Sequence, residues 1–93
     1  MDAVFKALAD ATRRHMLDEL AERPEQTFYE LCARLIMKHK ISMSRQAMAK
    51  HLATLERAGL VRSKRRGRYK VLALDAGPIR EISKRWLPHV MKE

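Results

Sequence analysis

The chain has 93 residues, with 20 Lys and Arg against 11 Asp and Glu, which gives a net charge of +9. A chain of this length can bury one modest core, so we expect residues 1–93 to form a single domain. Its apolar runs are too short for a membrane span, its first residues lack the basic region of a signal peptide, and its one cysteine, Cys32, is typical of a cytoplasmic protein.

Apolar residues at helical spacing predict four helices in the first part of the chain. The first helix is short, Asp10 is a suitable N-cap for the second, and that helix ends before Pro24. Thr27 is the predicted N-cap of the third helix, and Ser42 or Ser44 that of the fourth. The apolar faces comprise Val4, Phe5 and Leu8, then Met16, Leu17 and Leu20, then Phe28, Leu31, Leu35 and Ile36, and finally Met48, Leu52 and Leu55.

The pattern changes after Gly59, which stands where a helix commonly ends in left-handed backbone. Two segments with β-branched and aromatic residues, LVRSKRR and RYKVLAL, flank Gly67 and predict a β-hairpin with a basic tip. A last helix is predicted over residues 76–87, with Pro78 in its first turn and Pro88 ending or kinking it. The order α-α-α-α-β-β-α describes a mainly α fold with a small β-hairpin, a winged helix-turn-helix.

The positive charge is concentrated in one stretch of this chain. Residues 1–41 contain seven basic and seven acidic side chains, whereas residues 42–70 contain nine basic side chains and the single acid Glu56, a net charge of +8. Residues 71–93 contribute the remaining +1. A solvated surface would distribute its charge more evenly, so the central stretch is predicted to face nucleic-acid phosphates.

The fourth helix carries a polar face near its start that suits double-stranded DNA. Arg45 and Gln46 fall in its first turn, and these residue types bond the major-groove edges of guanine and adenine. Ser44 and Lys50 suit phosphates, and His51 contacts a phosphate or packs under the wing. The predicted DNA-binding residues are Ser44, Arg45, Gln46, Lys50 and His51 on the helix, and Arg65, Arg66 and Arg68 on the hairpin. The strand position of Arg65 could also turn its side chain away from DNA.

The same residues are also compatible with functions other than DNA binding. A winged helix can also bind RNA or protein, but RNA recognition favours aromatic stacking platforms, and only Tyr69 is placed to join the basic face. Arg13 and Arg14 fit a DNA-backbone contact and a solvated helix face equally well. An enzyme is disfavoured, because no nucleophile and base, phosphate-binding glycine loop or apolar carboxylate pair is recognisable.

The stretches FKALADATRRHMLDEL and SRQAMAKHLATLERAGLVRSKRRGRYKVLAL resemble the opening, the recognition helix and the wing of ArsR/SmtB-type winged-helix repressors. The resemblance covers nearly the whole chain. It implies a homodimeric DNA-binding transcriptional regulator, usually a repressor, whose first and last helices build the dimer interface. The interface residues implied here are Val4, Phe5, Leu8, Ile79, Ile82, Trp86 and Val90.

The chain departs from the family pattern in ways that bear on sensing. Arg34 stands at the position of the second thiol in the family's ELCxC metal motif, and Ala76-Gly77-Pro78 replaces the Asp-x-His of another metal-site type. We therefore predict no metal and no other cofactor, and leave open whether an effector exists. The segment from Leu35 to Ser44 is longer than usual and lacks a glycine, so Lys40 is predicted to adopt left-handed backbone at a cost of roughly 1 kcal/mol.

Overall fold

The computed structural model describes residues 2–85 and 87–90 of the chain. Its main body is helical, with a three-stranded antiparallel sheet, and it confirms the predicted fold class of a mainly α winged helix-turn-helix. The elements are α1 Asp2–Leu8, α2 Ala11–Glu22, β1 Gln26–Thr27, α3 Phe28–His39, α4 Arg45–Arg57, β2 Val61–Arg66, β3 Tyr69–Leu74, α5 Gly77–Arg85 and α6 Leu87–Val90.

Three helices begin at the N-caps that the sequence predicts. The side chains of Asp10 and Ser44 each accept a hydrogen bond from the backbone N–H three residues later, at 3.1 Å. Thr27 does the same for α3, and the Glu30 carboxylate accepts from the backbone N–H of Thr27 at 2.9 Å, which completes a capping box. Each such cap stabilises its helix by about 1 kcal/mol.

The recognition helix α4 ends in a Schellman motif. Gly59 has φ +77°, its N–H donates to Glu56 O at 3.0 Å, and the N–H of Leu60 donates to Leu55 O at 3.0 Å. Leu55 and Leu60 are fully buried, so the motif carries its usual apolar contact and turns the chain directly into β2. The predicted end of the helix at Gly59 is therefore confirmed.

The sheet contains one strand that the sequence analysis missed. The strand order is β1-β3-β2, and β1 pairs with β3 in the register Gln26↔Leu72 and Thr27↔Val71. Two residues are too few to show the alternation that marks a strand. This pairing joins the start of α3 to the middle of β3, so backbone hydrogen bonds hold the helix-turn-helix and the wing together.

The core is built from the predicted apolar faces of α2, α3 and α4. Ile36 is an exception, because 51% of it is exposed and it lies off the buried stripe of α3. Val4 is only 7% exposed and packs inside the core. The buried cluster consists of Val4, Ala7, Met16, Leu17, Leu20, Leu31, Leu35, Met48, Leu52, Leu55, Ala58, Leu60, Val61 and Leu72.

A charged group is enclosed between α2 and α3. The side chain of Glu19 is 1% exposed, and its Oε2 accepts from Lys38 Nζ at 2.8 Å and from His39 Nε2 at 2.9 Å. The hydrogen bond from Lys38 is the main reason that the pKa of Glu19 lies below its usual value, although burial acts in the opposite direction. The ring of His15 lies against that of His39, with centroids 4.3 Å apart.

The segment that follows α3 adopts the backbone expected of it. Lys40 has φ +56° and ψ +32°, in the left-handed region, and the N–H of Ile41 donates to Leu35 O at 3.2 Å. A non-glycine residue in this region costs about 1 kcal/mol or more. Met37, one turn earlier, is 73% exposed.

The C-terminal helical part differs in detail from its prediction. Helix α5 extends from Gly77 to Arg85, and Pro88 lies in the first turn of a second, short helix, α6 Leu87–Val90, where proline is tolerated. Trp86, a predicted interface residue, lies outside the described residues. Helix α5 contains no buried residue. Within the part of the chain that the structure describes, no helix combines the length and apolar character that crossing a membrane requires.

Candidate nucleic-acid interface

Helix α4 separates a buried face from a polar one at its first turns. Met48, Leu52 and Leu55 are buried, whereas Ser44, Arg45, Gln46 and Lys50 are exposed. The Ser44 oxygen accepts the capping hydrogen bond, which leaves its hydroxyl proton free to donate to a phosphate. The structure thus brings these four predicted residues together at one end of one helix.

An aromatic side chain that the sequence analysis did not select lies beneath Arg45. The guanidinium carbon of Arg45 is 4.3 Å from the ring centroid of Tyr29, which is 61% exposed in the first turn of α3. A cation over an aromatic face is held by the ring quadrupole, while its N–H edges remain available for hydrogen bonds. The expectation that only Tyr69 joins the basic face was therefore wrong. A sequence signal existed, because Tyr29 lies off the apolar stripe of α3.

The wing is a two-residue hairpin with a glycine at its turn. Strands β2 and β3 pair from Val61↔Leu74 to Arg66↔Tyr69, and Gly67 has φ +65°, as the first position of a type II′ turn requires. Ser63 Oγ donates to Glu56 Oε2 on α4 at 2.6 Å. This hydrogen bond fixes one face of β2 against the recognition helix.

The two neighbouring arginines of β2 point to opposite faces of the sheet. Arg65 shares the face of Ser63, because side chains alternate along a strand, and this is the face that packs against α4. Arg66 lies on the other face, where its Nη2 forms an ion pair with Glu25 at 3.0 Å. The strand position thus turns Arg65 toward the recognition helix and Arg66 away from it.

The basic stretch is only partly neutralised by acids. Arg62 pairs with Asp75 at 2.9 Å, and Lys70 with Glu56 at 3.4 Å. The backbone N–H of Gly77 and the Arg62 guanidinium hold the pKa of Asp75 below its usual value. Among residues 2–85 and 87–90, the side chains of the basic stretch that form no ion pair are Arg45, Lys50, Arg57, Lys64, Arg65 and Arg68.

Comparison with known proteins agrees with this geometry. A family model described as a helix-turn-helix domain matches residues 8–64. The HTH-type transcriptional regulator YuzN of Bacillus subtilis is 57% identical over 86 residues, which cover 92% of this chain and 94% of that protein. An ArsR family transcriptional regulator of known structure is 30% identical, with a TM-score of 0.80 over 98% of this chain and 86% of its own. The chain belongs to the ArsR family of helix-turn-helix regulators.

Two further solved structures are similar to the chain described here, which we now call the regulator. The ArsR-like transcriptional regulator from Rhodococcus sp. RHA1 is 34% identical, with a TM-score of 0.79 over 97% of this chain and 75% of that one. A homodimeric winged helix-turn-helix DNA-binding domain from Mycobacterium bovis shares the fold, at 24% identity and a TM-score of 0.68 over 95% of this chain and 82% of that one. The predicted resemblance to the ArsR family is confirmed. The protein is a DNA-binding transcriptional regulator, and its family is one of transcriptional regulators and not of enzymes.

His51 occupies a more enclosed place in the regulator than Lys50 does. Its side chain is 20% exposed, and its Nδ1 lies 3.0 Å from Nη1 of Arg13. Arg13 and Arg14 also donate to backbone carbonyls at the end of α1, and Arg13 is half-buried whereas Arg14 is exposed, as a solvated helix face requires. Only the far edge of the His51 ring is left for the predicted phosphate contact.

Cys32 lies on α3, half-buried and free. Burial raises the pKa of its thiol, and the nearby Arg45 charge opposes that effect without cancelling it. Across residues 2–85 and 87–90, no group of three or more His, Cys, Asp or Glu side chains is placed to hold a metal ion.

Proposed function

We propose that the regulator is a homodimeric repressor that binds a specific double-stranded operator. The observation that carries the proposal is the exposed set Arg45, Gln46 and Lys50 on the first turns of a helix whose opposite face is buried. A helix presented in this way fits the major groove with its N-terminal side chains at the base edges. The adjoining hairpin would then reach the flanking backbone or the minor groove.

The proposal divides the work between the helix and the wing. Arg45 and Gln46 read base edges, whereas Ser44 and Lys50 contact phosphates and set the register of the protein on the duplex. The wing supplies charge mainly through Arg65 and Arg68, because Arg66 would first have to leave Glu25. His51 contributes a phosphate contact through its outer ring nitrogen.

Dimerisation through the first and last helices is part of the proposal. Phe5 is 42%, Ile79 37% and Val90 59% exposed, and α5 buries none of its residues in the protomer. Leu8 and Ile82 are half-buried at the edge of the core and would complete the patch, whereas the buried Val4 has little surface to offer. Trp86 remains a sequence-based expectation. A symmetric dimer would bind half-sites one or two helical turns apart.

The proposal also covers the setting in which the regulator acts. We infer that residues 1–93 belong to one winged helix-turn-helix domain, because the residues that the structure describes share a buried cluster, and that the protein acts in the cytoplasm, where a free thiol such as Cys32 persists. It binds neither a membrane nor a metal. Whether a small molecule releases it from DNA is left to direct screening.

Selection of bound duplexes from a random pool tests the proposal. We expect one consensus with two-fold symmetry, and a cross-linked or sedimenting species with two protomers per duplex. Replacing Arg45 or Gln46 with Ala should cost roughly 1–3 kcal/mol on the selected duplex and much less on a scrambled one. Arg68→Ala is the matched control and should weaken both duplexes alike.

Three results would contradict the proposal. They are a selection without a consensus, a monomer at micromolar concentration with and without DNA, and an Arg45→Ala loss that is equal on both duplexes. A parallel selection from a single-stranded RNA pool tests the RNA-binding alternative, which the covering of Tyr29 by Arg45 disfavours. A reporter promoter carrying the selected duplex distinguishes repression from activation.

A further inference from the structure

One guanidinium connects the end of α1 with the middle of the recognition helix. Arg13 donates from Nε to Ala7 O at 2.8 Å and from Nη2 to Lys6 O at 3.0 Å, so it satisfies two carbonyls in the last turn of α1. Its remaining group, Nη1, lies 3.0 Å from His51 Nδ1 on α4. Arg13 itself lies on α2. Its side chain therefore links the end of α1 to α4, two helices that are far apart in sequence.

The chemistry of the pair determines the state of the imidazole. Arginine has only N–H donors, so Nδ1 of His51 must accept and carry no proton. The Asp10 carboxylate is 3.9 Å from the same nitrogen, too far for a hydrogen bond. In this arrangement the neutral ring carries its proton on Nε2, the edge that faces away from Arg13.

Glu56, near the end of α4, is hydrogen-bonded to Ser63 of the wing, and the contact of His51 with Arg13 adds a directional constraint at the middle of the helix. Helix α4 rests on the core through the narrow stripe of Met48, Leu52 and Leu55, and apolar burial has no directional preference. A hydrogen bond is directional, and His51 follows Lys50 immediately on the polar side of that stripe. The contact therefore limits rotation of α4 about its own axis, and with it the direction of Arg45 and Gln46.

We propose that Arg13 is a positioning residue of the DNA interface, which acts through His51 to orient the recognition helix relative to α1. The inference rests on the proposed function, because it requires that α4 reads DNA. Since α1 is also a proposed dimer helix, the same contact transmits the position of the dimer axis to the reading face of each protomer.

The test compares Arg13→Ala with Arg14→Ala as a matched control. Arg14 also donates to the end of α1, to Leu8 O at 2.6 Å, and it forms no hydrogen bond with α4. The measured quantity is the ratio of the affinities for a duplex selected by the wild-type protein and for its scrambled counterpart, well below the melting temperature of each variant. We expect Arg13→Ala to lower this ratio about tenfold and Arg14→Ala to change it less than twofold.

A double-mutant cycle with His51→Ala completes the test. Because that variant leaves the α1 carbonyl bonds intact, it examines the contact even if Arg13→Ala fails to fold. We expect His51→Ala to lower the ratio, and the double variant to lower it no further than the larger single loss. Equal effects of the two arginine variants, additive losses in the cycle, or an unchanged ratio for His51→Ala would overturn the inference.

A wild-type ratio near one would instead overturn the proposed function together with this inference, so that measurement comes first.

Discussion

The two neighbouring arginines of the wing offer a sharp test, because they differ in sheet face but not in charge. Arg65 lies on the face of β2 that packs against α4, and Arg66 lies on the opposite face, paired with Glu25 at 3.0 Å. Replacing either with Ala lowers the net charge from +9 to +8 and so weakens the long-range field equally. Any difference between the two variants therefore reports local phosphate contact.

The expected difference follows from counterion release. Each phosphate contact adds about 0.9 to the slope of log affinity against log salt, so a homodimer that loses Arg65 from both wings should lose about 1.8 from that slope. Between about 50 and 200 mM salt, the affinity of the wild-type protein should therefore fall about 12-fold more than the affinity of the variant. Arg66→Ala should change the slope by less than half as much, because its guanidinium is already paired.

Fluorescence anisotropy of a labelled duplex, titrated across a potassium chloride series, measures both slopes under identical conditions. A scrambled duplex serves as a second substrate, because a phosphate contact should contribute equally to both. If Arg66→Ala lowers the slope as much as Arg65→Ala, sheet face does not decide which arginine meets DNA, and the placement of the wing argued above is refuted.

Four further outcomes are expected. Lys40→Gly should raise the free energy of unfolding by about 1 kcal/mol and the melting temperature by about 4–8 °C, since it relieves left-handed strain; Lys40→Ala, which keeps the Cβ, should not. The pKa of Glu19 is lower in the folded protein than in the unfolded one. Its contribution to stability is therefore complete above the unfolded-state pKa of about 4.3, and it is lost as the pH falls toward the folded-state pKa. Glu19→Gln should therefore flatten the pH dependence of urea unfolding between pH 7 and pH 3, and an unchanged pH profile would contradict the role of its hydrogen bond from Lys38. Tyr29→Ala should lower affinity for the selected duplex about two- to fivefold by removing the stacking under Arg45, whereas Tyr29→Phe should retain it. Titration with zinc, cadmium or trivalent arsenic should leave DNA affinity unchanged, and a stoichiometric ion that weakens binding tenfold would reverse that expectation.

Much of this fold could be predicted from sequence because its decisive signals are local. Asp10, Thr27 and Ser44 each cap a helix through an amide only three residues away. Gly59 and the left-handed Lys40 are set by the backbone of a single turn. The apolar stripes of α2, α3 and α4 followed the helical period and supplied the core, with Ile36 as the exception among them.

The features that were missed depend on residues that are distant in sequence. Strand β1 exists because Gln26 meets Leu72, a pairing that no local pattern announces. Arg45 over Tyr29, and Arg13 against His51, likewise require the packed arrangement of helices before the partners can be identified. Composition shows that the basic side chains are concentrated in residues 42–70, but only the ion pairs show which of those charges are already neutralised.

The concentration of the unpaired basic side chains on α4 and the wing has a consequence for how quickly the regulator finds its site. A protein whose positive charge is concentrated in a few elements experiences a torque near DNA, so most encounters begin with those elements toward the duplex. Non-specific complexes are held by the same charges and permit sliding and hopping along the backbone. During the search, α4 and the wing therefore already face the duplex. Each step along the DNA then tests another base sequence without requiring a new diffusional encounter.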